Sequence, residues 1–348
     1  MHYAKLPGSG IVLVALLVCL LVGTTGAGQM SVPADEPTIQ QAIDAASDGD
    51  VIVVSAGTYF ENIDFHGKAI TVRSAAGPAE TMIDGRNAGP VVTFQTNEQA
   101  QSVLTGFTIQ HGYAAFGAGV MLSGTSPTIT RNVFRGNTQA AGGFGAAIGG
   151  DGASPTIERN TFETNTCATS LLSGVISFVN GSAPLIINNI FQNNSCYAIN
   201  LTLPAGYSPV IANNTIVQNS GGLRVDASVP EGTLFCANNI VVGNGVGLLV
   251  DYLTIGCQPT WMNNLVYNNG ANYSGITDQT GLNGNVCADP QFVAKRNFRL
   301  KSTAPAIDAG TLLVPNLPPT DFAGNPRVVD GDGNGSALPD IGAFEFVP

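Results

Sequence analysis

After residue 28, apolar residues in this chain come mostly in short runs, separated by Asn, Gly, Ser and Thr rather than by charged stretches. The runs recur. SPTITRNVFRGN (126–137), SPTIERNTFETN (154–165), APLIINNIFQNN (183–194) and SPVIANNTIVQN (208–219) align without gaps. TLFCANNIVVGN (233–244) and QPTWMNNLVYNN (258–269) continue the series in degraded form. The central asparagines are Asn132, Asn160, Asn189, Asn214, Asn239 and Asn264, spaced 28, 29, 25, 25 and 25 residues apart. GFTIQHG (106–112) fits one step earlier, with Phe107 in the Asn place.

Two columns of this alignment are apolar throughout. Ile129, Ile157, Ile186, Ile211, Cys236 and Trp261 lie three residues before the Asn. Phe134, Phe162, Phe191, Ile216, Val241 and Val266 lie two after it. Both columns are predicted to point inward. Asn137, Asn165, Asn194, Asn219, Asn244 and Asn269 form a third column, five after the first Asn. Short β-branched runs punctuated by Asn and Gly predict strands and turns, since helical repeats need amphipathic runs of ten or more residues. A second strand is predicted upstream in each coil: GVML (119–122), GAAIGGD (145–151), VISFVN (175–180), AINLTL (198–203), GLRVDA (222–227) and GLLVDY (247–252). Asparagine suits the corners between strands because it tolerates the left-handed backbone region and bonds nearby backbone. Stacked Asn side chains can also bond along the axis at the ~4.8 Å strand spacing. The conspicuous asparagines are therefore read as structural.

Thr38–Ala46 is predicted to form a short helix with Ile39, Ala42 and Ile43 on one face, covering the open start of a solenoid. VIVV (51–54) and AITVRS (69–74) then begin the coils.

These repeats resemble the right-handed parallel β-helix proteins of the pectin-lyase-like superfamily, over nearly the whole chain after residue 28. The opening VPADEPTIQQAIDAASDGDVIVVSAG (32–57) is similar to the usual entry to that fold. DPQF (289–292), FRL (298–300), APAIDAG (304–310) and DIGAFEF (340–346) resemble the C-terminal segment of bacterial secreted members. The resemblance implies an all-β solenoid of three strands per coil, with an N-terminal helical cap and an irregular C-terminal cap. The expected divisions are a signal peptide (1–28), first coils (29–100), repeats (101–285) and a C-terminal capping segment (286–348).

The signal peptide is expected from Lys5, the apolar run Ile11–Val22 and the small residues Thr24–Gly28. The run is short for a membrane span, and no later segment is apolar enough for one. After its removal, 24 acidic residues face 12 basic ones, a net charge of −12. That balance excludes nucleic acid as a general partner. Export and the resemblance point instead to a polysaccharide or cell-surface glycan. Of six cysteines, Cys167, Cys196, Cys236, Cys257 and Cys287 follow the leader. Cys167 and Cys196 share a repeat position and either bridge neighbouring coils or stack as small buried residues.

Three constellations carry candidate chemistry. Aligning the upstream strands places Asp226 and Asp251 in one column on adjacent coils, with Asp151 three coils before Asp226, and puts Arg224 on the same strand face as Asp226. Two carboxylates so close either raise one another's pKa or recruit a cation. The first suits glycoside hydrolysis and the second a Ca²⁺-assisted lyase. The resemblance implies, for the lyase, Asp226 and Asp251 as metal ligands and Arg224 as the base. No lysine lies between Lys68 and Lys295, which excludes a lyase using a solenoid lysine as base. Arg131 and Arg159 share the column before the first Asn, and Arg135 and Glu163 share another outward column. This Arg set is a candidate for binding acidic sugars through bidentate contacts. His111 stands alone and is not assigned a role. In the tail, Asp330, Asp332 and Asn334, with Gly335 and then Asp340, match the start of a Ca²⁺ loop, although its twelfth position is Ile341.

The competing functions are a polysaccharide lyase or hydrolase, a glycan-binding surface protein, and a purely structural or adhesive stalk.

Overall fold

The computed structural model describes residues 1–2, 27–168, 172–203, 205–228, 231–251 and 257–348. The apolar segment read as a leader lies outside these, apart from its two ends. Among the described residues, no helix is long and apolar enough to cross a membrane.

The chain winds into a solenoid of three parallel sheets with ten, nine and nine strands. The first sheet runs from Gln29–Val32 to Gln258–Met262 and contains the Ile column. The second runs from Gly57–Tyr59 to Leu265–Tyr267 and contains the Phe column. The third runs from Ile63–Asp64 to Ala271–Ser274 and contains the upstream strands. Register follows the sequence columns: Ile129 pairs with Ile157, Ile157 with Ile186, and Ile186 with Ile211. Inward columns of adjacent coils therefore merge into one continuous core. Phe134, Phe162 and Phe191 stack at 4.9 and 4.6 Å with nearly parallel rings.

The helix Ile39–Ala45 closes the first turn, with Thr38 accepting from the Gln41 N–H at its start. Ile39, Ala42 and Ile43 are buried as expected. The Lys68 ammonium donates to the carbonyls of Ile43, Asp44 and Ala46 at 2.7–2.8 Å, so a cation occupies the negative helix end.

The asparagines divide into two populations. The buried column Asn132, Asn160, Asn189, Asn214, Asn239 and Asn264 forms a ladder that ends at Asn285. Each side chain donates to a backbone carbonyl of the preceding coil and accepts the N–H of the residue in its own place one coil earlier, Phe107 for Asn132 and an Asn for the rest, as Asn214 does for Ile186 and Asn189. A second ladder runs from Asn137 to Asn269 at the other end of the second sheet. The left-handed residue is not the ladder Asn. It is the residue before the first ladder: Arg131, Arg159, Asn188, Asn213, Asn238 and Asn263, all with φ between 50° and 58°. The corner thus splits the two jobs expected of one asparagine, because a side chain turned inward to bridge coils cannot also make the bend.

The outer asparagines hold the tail. Asn188 donates to the Thr320 carbonyl, Asn213 to that of Asp340, Asn238 to that of Thr311 and Asn263 to that of Ala309. The C-terminal segment therefore lies along the flank of the solenoid, over several coils, rather than only closing its end. Arg327, fully buried beneath this segment, donates to Asn188 Oδ1 and to Glu345.

Candidate functional site

The third sheet presents the candidate groove. Its outward columns are Ser177, Asn200, Arg224 and Leu249, and beside them Asp151, Val179, Thr202, Asp226 and Asp251. Asp226 and Asp251 are direct register partners, one strand spacing apart.

Uneven coil length builds the wall of this groove. The 28- and 29-residue steps place their extra residues between the second and third sheets. There Thr138–Phe144 pairs in parallel with Tyr113–Phe116, outside the three-sheet cross-section. One coil later, Cys167 is disulfide-bonded to Cys196, which resolves the two readings of that pair in favour of a bridge. Ser173 accepts from Gln139 and from the Asn200 amide, and Ser177 donates to the Leu172 carbonyl. These contacts cover the third sheet at the early coils.

At the step lies a cavity of about 430 Å³, lined among others by Cys196, Tyr197, Ser220, Arg224 and Asp251. Arg224 is 7% exposed. Its Nε and Nη2 donate to Asp251 Oδ2 at 2.6 and 2.5 Å. Both nitrogens therefore serve here as donors to the carboxylate. Asp226 does not line the cavity, and its Oδ1 accepts the Ser228 N–H at 3.0 Å. Tyr197 lies over Gly221, where a Cβ would fall 2.3 Å from the ring. Burial pushes the Tyr197 phenol up, Arg224 opposes this, and Asp251 adds to it. No motif flagged Tyr197. The only sequence trace of its place is the glycine opposite it, Gly221, together with Gly174 on its other side.

The arginine set is divided by the tail. Arg131 is exposed, and Arg135 is exposed with Nη2 3.1 Å from Gln110 Oε1. Arg159 is only 9% exposed, bonded to Thr320 Oγ1 and 3.9 Å from Glu158. The sequence column placed it outward correctly, but the tail covers that flank. His111 pairs with Asp84 at 2.8 Å.

The tail acids also regroup. Asp330 and Asp332 come together with Asp308, one carboxylate oxygen of each lying within 4.8 Å of the others. Asn334 instead donates to Asp332, and its Oδ1 accepts the Ser336 N–H. Asp340 is 1% exposed, apart from that cluster, and accepts the N–H groups of Asp308 and Phe346. Loop spacing pointed to Asp340 by sequence proximity, whereas Asp308 arrives from 22 residues before Asp330.

The family model described as right handed beta helix region matches residues 91–270. The chain belongs to this right-handed β-helix family. As a β-helix protein it superposes on the pectate lyase Pel9A with a TM-score of 0.56 at 16% identity, over 89% of this chain and 91% of that one. An alginate lyase from Paenibacillus sp. str. FPU-7 aligns with a TM-score of 0.40 at 14% identity, over 71% of this chain and 97% of that one. At this identity the likeness to Pel9A shows a shared fold and not a shared activity. No curated protein sequence matches the chain.

Proposed function

We propose that this β-helix protein is exported and binds an acidic polysaccharide in the groove of the third sheet. The observation that carries the reading is the cavity with the Arg224–Asp251 pair on its wall. A uronate carboxylate can take the place of Asp251 on the two guanidinium nitrogens, and Tyr197 offers a ring face for the sugar. The fold likeness to a pectate lyase supports the ligand class. Arg131 and Arg135, on the second sheet and its corner, are proposed as a separate exposed contact for the same polymer.

A second reading is processing of that polymer. It is favoured by the register of Asp226 against Asp251. Those two carboxylates would hold Ca²⁺, whose chemistry is to neutralise the uronate carboxylate, and Arg224, freed from its pair, would stand beside the sugar. A structural Ca²⁺ is separately proposed at Asp308, Asp330 and Asp332.

The test is a panel of uronate and neutral polysaccharides with and without Ca²⁺, read by binding, by absorbance of unsaturated products and by reducing ends. Uronate binding that falls at least tenfold in Arg224→Ala supports the site. Unaltered binding in Arg224→Ala and Asp251→Ala refutes it. Absence of product with every polymer removes the processing reading and leaves a binding or adhesive protein.

A further inference from the structure

The second sheet carries a site of different construction. Phe292–Ala294 and Asn297–Leu300 form an antiparallel hairpin beside it. Between hairpin and sheet is a cavity of about 480 Å³, lined among others by Gln192, Gln218, Asp289, Lys295, Arg296 and Lys301.

Charge is concentrated here against the trend of the chain. Lys295, Arg296, Arg299 and Lys301 are four of its 13 basic residues, in a protein of net charge −11. Among the described residues, ion pairs within 4.0 Å engage His66, His111, Arg159, Arg224 and Arg327, but none of these four. Arg299 lies over the Phe344 ring instead. The other three line the cavity, where Asp289 is the one opposing carboxylate, its Oδ1 accepting the Gln291 N–H.

A second observation is independent of charge. Gln192 is 9% exposed, and its Nε2 donates to Glu163 Oε2 at 3.0 Å. The carboxylate accepts only, so this contact fixes which end of the amide is which. Gln192 Oε1 is then a buried acceptor without a partner among the described residues. Buried acceptors are rarely left unmade, because the desolvation cost goes unreturned.

The two observations demand different things of one ligand. The cations ask for negative charge, and Gln192 asks for a hydrogen-bond donor. An inorganic anion such as sulfate supplies acceptors alone. A sugar acid carries a carboxylate and several hydroxyls on one ring. We propose that the cleft between the 292–300 hairpin and the second sheet is a binding subsite for uronate oligosaccharide, separate from the third-sheet groove. Lys295, Arg296 and Lys301 take the carboxylate, and Gln192 accepts from a ring hydroxyl. The subsite shares its ligand class with the proposed function but none of its residues, so each can fail without the other.

The experiment is calorimetric titration of the full chain with short oligogalacturonate, against neutral oligogalactan and inorganic sulfate. The hairpin variant is Lys295→Gln/Arg296→Gln/Lys301→Gln, and the groove variant is Arg224→Ala/Asp251→Ala. A second hairpin variant, Gln192→Glu, sets a like charge against the ligand. Thermal midpoints check that each variant folds. Two bound oligouronates per wild-type chain, falling to one in each hairpin variant, is the expected result. Retention of the second ligand in both hairpin variants overturns the subsite, as does equal binding of sulfate or neutral sugar at that cleft. Loss of binding only in the groove variant also overturns it while sparing the third-sheet reading. Loss only in the hairpin variants supports the subsite and refutes the groove.

Discussion

Arg224 is bonded through Nε and Nη2 to one carboxylate oxygen of Asp251, which stands on the next coil of the solenoid. The pair is asymmetric: the arginine side chain is 9% exposed and the aspartate 28%. Removing one partner of a buried pair is costly in proportion to how buried the remaining one is. Asp251→Ala strands a buried guanidinium and is expected to cost ~2 kcal/mol, whereas Arg224→Ala leaves a half-open carboxylate and costs ~1 kcal/mol or less. Urea unfolding of both variants checks the order. The reverse order would show that Arg224 reaches water once its partner is gone.

The two asparagine populations predict opposite mutational signatures. Asn214→Ala removes a side chain that bridges Asn189, Asn239 and the Ile186 carbonyl inside the core. It leaves buried backbone groups unpaired and is expected to destabilise by ~3 kcal/mol. Asn213→Gly loses one bond to the tail but relieves a φ of 52°, so its cost is expected within ~1 kcal/mol. Chemical denaturation separates the two, and hydrogen exchange at 308–346 reports whether the tail has loosened.

Reduction of Cys167–Cys196 opens a loop closed over 29 residues. The chain-entropy relation puts such a loop at ~3–4 kcal/mol, and less is expected here because stacked strands already hold both ends. Unfolding with and without dithiothreitol measures the loss. Exchange protection at Ser177 and Asn200 should fall first, since Leu172 and Ser173 cover them.

Two tail carboxyls predict a pH dependence. Burial raises Asp340 to about 6 and Glu345 to about 8, with Arg327 opposing in both cases and Asp308 adding to the rise of Asp340. Both folded values lie above the unfolded ones, so the folded chain binds more protons between them. Stability from these groups is full below about pH 4 and is lost as pH rises through 6 and then 8. The thermal midpoint of tail unfolding should therefore drop across that window, and Asp340→Asn should flatten the lower part.

If Ca²⁺ binds at Asp308, Asp330 and Asp332, millimolar Ca²⁺ raises the unfolding midpoint and EDTA reverses it. Asp308→Asn should abolish the shift, and Asp340→Asn should leave it in place. An unchanged midpoint in Ca²⁺ removes the metal from the tail.

Strand identity, inward faces and coil register were legible in the sequence. Each coil repeats the same local problem, so the Ile and Phe columns announce themselves at a fixed period. The cap helix was legible for the same reason, since Ile39, Ala42 and Ile43 form a local pattern. Asp226 and Asp251 were aligned correctly because the 25-residue step carries no insertion there. The buried ladder was legible as a stack, but its left-handed neighbours were not, because backbone dihedrals leave no periodic mark when Arg and Asn both adopt them.

What the sequence could not decide is everything that depends on contacts between distant segments. The tail has no repeat, so nothing local says that it returns along Asn263, Asn238, Asn213 and Asn188 and covers Arg159. Asp308 joins Asp330 and Asp332, and Asp340 leaves them, only because that returning chain crosses itself. The same return sets the Lys295–Lys301 hairpin against Gln192. Periodic sequence therefore determined the solenoid on its own, through columns that need only the neighbouring coil. The tertiary structure decided which outward residues remain open, because burial under a non-repeating segment is a property of the whole chain and not of any one repeat.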